Sequence, residues 1–153
     1  MAVLSADSTQ ALQHRGNIVV KELVCGVADI FYRGGLCYYL AAGGITPVAA
    51  AGLEFAGICL EGSNGTTTSG TTRVKVATGG EWLIKYSGTP ALTDEGTLLD
   101  VDVSAASDNP ADLILDSAGA TGDFPIGKIV EFVSATAGAW VSFDNRALGV
   151  AHA

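Results

Sequence analysis

The apolar residues of this chain come in short runs, cut again and again by glycine-bearing turns, and that punctuation leaves room for strands but hardly any for helices. The cleanest run is at residues 72–76, where Thr72, Val74 and Val76 alternate with Arg73 and Lys75. A period of two puts the valines on one face of a strand and the bases on the other. Trp82, Ile84 and Tyr86 alternate with Leu83 and Lys85 in the same way, which makes Trp82 a core anchor. Leu99, Val101 and Val103 alternate with Asp100 and Asp102, so both aspartates are expected to point outward. Separate strands are read at 18–20 and 23–25, then at 36–41, 55–61, 125–133 and 139–143, and a strand-like segment at 29–32. Ala49, Ala50 and Ala51 favour a helical turn, but Gly52 follows at once and limits it to a short helix. The sum is roughly nine to twelve short strands at a spacing of about 8 to 12 residues, the pattern of a sandwich or a barrel.

A chain of 153 residues can bury a core without disulfides or metal, so one mainly β domain is expected. The division expected is an extended N-terminal arm over residues 1–16, a β-rich domain over 17–145 and a C-terminal tail over 146–153. No apolar run approaches the roughly 18 to 20 residues that span a bilayer, which argues against a membrane partner. The first residues lack the basic start and apolar block of a secretory signal, which argues for synthesis and use without export. The formal net charge of −8 repels phosphate backbones, and the eight Lys and Arg residues are scattered singly, so direct nucleic-acid binding is not expected.

Little in the chain is arranged for catalysis. His14 lies in the arm and His152 is the penultimate residue, both poorly placed for the tight geometry of a general base. Cys25, Cys37 and Cys59 have apolar or aromatic neighbours and lie 12 and 22 residues apart, which suits buried reduced thiols better than a zinc site. The polar stretch 62–72 contains no lysine and so is no phosphate-binding loop. It reads as an exposed hairpin loop carrying Asn64, Thr66, Thr67 and Thr68. Strand alternation accounts for Asp100 and Asp102 better than a calcium loop does. The expectation is therefore no enzyme, no cofactor and no metal. Aromatic residues such as Trp140 leave open one alternative, a carbohydrate-binding or adhesion module.

A faint internal echo joins residues 55–61, Phe-Ala-Gly-Ile-Cys-Leu-Glu, to residues 125–131, Pro-Ile-Gly-Lys-Ile-Val-Glu. The order of such segments carries a resemblance. Gly16-Asn17, Gly34-Gly35-Leu36, residues 55–61, the polar loop 62–70, residues 74–82, 96–101 and the hairpin 126–141 together resemble the capsid decoration, or structural cement, proteins of tailed bacteriophages. The likeness covers most of the domain and departs from the family in the longer arm and in the tail from Arg146 to Ala153. It implies a β-barrel, β-tulip-like or sandwich domain on the outer surface of the virion, made in the host cytoplasm. That domain would bridge major capsid proteins and stabilise the head as a homo-oligomer, a trimer ahead of a dimer. On that reading Ala2, Val3, Leu4, Leu12, His14 and Arg15 contact the capsid or an adjacent subunit, while the loop 62–72 projects away from the shell.

Overall fold

The computed structural model describes residues 4, 6–8, 12–50, 52–102, 108–116 and 124–143. The chain is mainly β, with two antiparallel sheets and, among the described residues, helical content confined to single turns such as Leu92–Asp94 and Pro110–Asp112. In chain order the strands are β1 (His14–Arg15), β2 (Val19–Val24), β3 (Leu36–Tyr39), β4 (Ile45–Thr46), β5 (Glu54–Glu61), β6 (Arg73–Thr78), β7 (Glu81–Ile84), β8 (Leu98–Val101), β9 (Ile114–Leu115), β10 (Phe124–Ser134) and β11 (Gly138–Ser142). The first sheet has the order β2-β6-β5-β3-β4. The second has the order β1-β7-β11-β10-β8-β9.

Apart from β1, the two sheets are the same object built twice. Strand order matches position by position: β2 with β7, β6 with β11, β5 with β10, β3 with β8 and β4 with β9. The registers match as well. Leu36, Cys37, Tyr38 and Tyr39 lie opposite Ile58, Gly57, Phe55 and Glu54, with a bulge that skips Ala56. Leu98, Leu99, Asp100 and Val101 lie opposite Lys128, Gly127, Pro125 and Phe124, with the same bulge at Ile126. A second bulge falls between Cys59 and Glu61 in β5 and between Ile129 and Glu131 in β10. Outside the strands, Gly34 N–H donates to the Cys59 carbonyl at 2.7 Å, as Gly96 N–H does to Ile129 at 2.8 Å. The faint sequence echo at 55–61 and 125–131 is thus the visible part of a duplicated five-stranded unit.

Each unit curls on itself. Just past β2, Cys25 bridges Ile45 in parallel, and Gly26 N–H donates to the Ile45 carbonyl at 2.8 Å. The equivalent bond in the second unit runs from Ser87 N–H to the Leu113 carbonyl, also 2.8 Å. The interiors are filled by equivalent positions with different side chains: Cys25 and Tyr86, Cys37 and Leu99, Ile45 and Leu113, Cys59 and Ile129, Val76 and Val141, all buried. The opposite face of the first sheet contributes Leu36, Tyr38, Phe55, Ile58 and Ala77 to the large cluster that also holds the second unit's interior. There the Phe55 ring lies 5.2 Å from that of Phe143, which locks the units together. The two central glycines are required by this packing. A Cβ on Gly57 would collide with the Ala77 carbonyl, and one on Gly127 would meet Val141 and Phe143.

Three local expectations are corrected. The two strands expected within 18–25 are one strand, Val19–Val24, because Lys21 and Glu22 sit at an exposed part of β2 and need no turn between them. Residues 29–32 lie outside the strands and 49–50 outside any helix. Asp100 is 2 % exposed rather than turned outward, since β8 runs between β9 and β10 and the residue is flanked by Ile114 and Pro125.

Candidate interaction surface

The described N-terminal residues lie along their own domain as a strap. Leu4 N–H donates to Asp108 Oδ1 at 2.7 Å, Arg33 N–H to Asp7 Oδ1 at 2.9 Å, and Ser8 N–H to the Arg33 carbonyl at 2.6 Å. Further on, Leu83 N–H donates to the Gln13 carbonyl at 2.9 Å, and His14 and Arg15 pair with Trp82 and Glu81 as β1. Of the residues expected to form an interface, Ala2 and Val3 lie outside the described residues. Leu4 and Leu12 are half-buried, and His14 and Arg15 are exposed. Gly16 has φ +80° with open space where a Cβ would stand, so a glycine turns the chain from β1 toward β2 without strain.

Arg15 is the most connected exposed side chain of the strap. Its Nε donates to Glu81 Oε1 and its Nη2 to Glu131 Oε1, both at 2.7 Å, and its guanidinium stands 4.4 Å over the Trp140 ring. The carboxylates of Glu131 and Glu81 raise its already high pKa. The group therefore spans β7, β11 and β10 on the outer face of the second sheet. The same geometry covers the one half-buried tryptophan on which a sugar could stack, since a cation already occupies the ring face. The His14 ring lies 5.0 Å from the buried Trp82 ring, with no carboxylate or thiol bonded to it among the described residues.

The loop between β5 and β6 differs from its expected form. Asn64, Thr66 and Thr68 are exposed, but Thr67 is only 4 % exposed, a correction to its placement at a solvated tip. Its Oγ1 donates to the Val27 carbonyl at 2.6 Å and accepts from Asp29 N–H at 3.0 Å, while its N–H donates to the Asp29 carbonyl at 2.8 Å. Ser63, Ser69 and Gly70 add further bonds to Phe31, Gly26 and Cys25. The loop is therefore sewn onto the segment that roofs the first unit's interior. Hydroxyl-to-backbone bonding of this kind is open to any threonine in the run, and nothing local marks Thr67 out.

Burial disfavours the charged forms of Cys25, Cys37 and Asp108. Cys37 titrates well above an ordinary thiol because its hydrogen bond with Cys59 and its burial both favour the protonated form, and burial likewise raises Cys25. Thiols kept protonated are poor nucleophiles and poor ligands. Asp108 is completely buried, and its Oδ2 has no hydrogen-bond partner. Burial pushes its pKa up to about 7 against the opposing Leu4 N–H, with Asp29 and Asp112 adding like charge. No group of three or more His, Cys, Asp or Glu side chains among the described residues is placed to hold a metal ion. No helix of the described residues is long and apolar enough to cross a membrane. Among the described residues, the β2 edge, the strap and a few apolar side chains reach solvent, and they can bind other surfaces through main-chain pairing and charge. No protein-family model matches the chain, and no curated protein and no solved structure matches it either.

Proposed function

We propose that this chain is a non-enzymatic virion protein that attaches to the outer surface of a phage head and stabilises it by bridging major capsid proteins. The observation that carries the reading is the placement of the resembling segments on the framework. Residues 55–61 form most of β5, 74–82 run through β6 and the glycine turn into β7, 96–101 lead into β8, and 126–141 make up most of the β10–β11 hairpin. A doubled, tightly cored scaffold with its strap on the outside suits a part that must hold its shape while its periphery is pulled by neighbours. Many copies on a symmetric shell would turn weak single contacts into firm attachment. The carbohydrate alternative is not favoured, because Arg15 sits on Trp140.

The test is to mix the purified protein with bare expanded heads and sediment them. Co-sedimentation that saturates at a fixed copy number per head is expected; protein left entirely in the supernatant refutes the proposal. Deleting residues 2–15 asks whether the strap makes the contact, and unchanged occupancy would remove it from that role.

A further inference from the structure

The duplication gives the paired strand positions of one unit counterparts in the other, and one pair of counterparts is unequally occupied. In the second unit the outer edge of β7 receives β1: Arg15 lies opposite Glu81, His14 opposite Trp82, and Leu83 N–H donates to Gln13. The equivalent positions on β2 are Val20, Lys21 and Glu22, and no strand among the described residues pairs with that edge. Cys25 N–H donates to Thr72 across the β2–β6 ladder, so by alternation Val20 and Glu22 direct their N–H and C=O groups outward, as Glu81 and Leu83 do toward β1. The Glu22 carbonyl is touched only at 3.4 Å by the exposed Arg73 guanidinium. Val19 and Val20 are 57 % and 48 % exposed, the largest apolar exposure on any strand among the described residues. An open edge with bare valines is a template for a further strand.

From this we infer that the β2 edge is a strand-accepting site for an extended segment of a different protein, lying antiparallel to β2. Two nearer occupants are disfavoured by charge. Pairing β2 with its own copy requires outward residues to face outward residues, and the two longest registers then set Lys21 against Lys21 or Glu22 against Glu22, which destabilises the pair. A copy's strap fits no better. The positions equivalent to Glu81, Trp140 and Glu131 around Arg15 are Val20, Lys75 and Glu61, and Glu61 is already bound to Lys75 at 3.2 Å, so an incoming Arg15 would meet a lysine. The complementary segment reads, from its N-terminus, basic opposite Glu22, acidic opposite Lys21, then apolar opposite Val20 and Val19. Main-chain bonds supply the attraction and these side chains the selection. The inference deepens the attachment reading by naming the surface that a shell protein would engage.

The experiment pans a displayed decapeptide library against the full-length chain and two variants. Val20→Pro removes an outward N–H that the β2–β6 ladder does not use, so the fold keeps its bonds. Lys21→Glu leaves the main chain intact and reverses one selecting charge. The wild type is expected to enrich peptides with the basic, acidic, apolar, apolar order, Val20→Pro to retain them at least about tenfold less, and Lys21→Glu to exchange the acidic position for a basic one. No enrichment, or equal retention by Val20→Pro, overturns the site. Sedimentation with bare heads separates the two proposals. Heads that bind wild type and Val20→Pro alike overturn the β2 site and leave attachment standing, whereas a library result at β2 with heads that bind neither overturns attachment and supports the site.

Discussion

At the level of single residues, Asp108 couples the strap to proton binding. The folded chain holds this acid with a pKa of about 7, against an ordinary value of 3.8, so the folded state takes up a proton that the unfolded state releases. Its contribution to stability is greatest below about pH 4 and is lost as pH rises toward 7, amounting at most to about 4 kcal/mol. Urea unfolding between pH 4 and pH 8 should show this decline, and Asp108→Asn should flatten it. A decline of the same size in the variant would assign the effect to other groups. Thr67 is a second such residue. Thr67→Val keeps the volume but removes the bonds to Val27 and Asp29 and leaves a half-buried carbonyl and N–H unmet, which should cost about 1 to 3 kcal/mol by the same measurement.

At the level of strands, the paired glycines show why equivalent positions need not be equally sensitive. A Cβ at Gly57 faces the rigid Ala77 carbonyl, whereas at Gly127 it faces side-chain atoms of Val141 and Phe143 that can shift. Gly57→Ala should therefore destabilise by about 2 to 4 kcal/mol and Gly127→Ala by less, with the order read from urea midpoints. The edge strands follow a similar logic. β1 and β9 are two residues long and expose little ladder, while β2 is guarded against its own copy by Lys21 and Glu22.

At the level of the molecule, the duplicated units share one large core cluster, and this bears on whether they unfold together. Both tryptophans, Trp82 and Trp140, lie in the second unit, and all three cysteines lie in the first. Tryptophan fluorescence and thiol labelling therefore report on different halves. Packing of Phe55 against Phe143 predicts coincident urea transitions by the two probes, with no thiol reacting in the native chain; separated midpoints would show two independent units. The β class, the alternation of β6, the burial of Trp82 and the glycine turns were readable in the linear order of residues. Each follows from local rules, a period of two and a few turn-forming residues, that act within one segment. The duplication surfaced only at β5 and β10, since elsewhere Cys37 stands where Leu99 does and Cys25 where Tyr86 does. Close packing constrains the filled volume of a whole interior more than the side chain at each point of it. The burial of Asp100, Asp108 and Thr67 came from the folded arrangement, because each is enclosed by residues distant in the chain, Leu4 and Asp108 being 104 apart. Pairings of that range depend on how the sheets meet, and no local pattern encodes them.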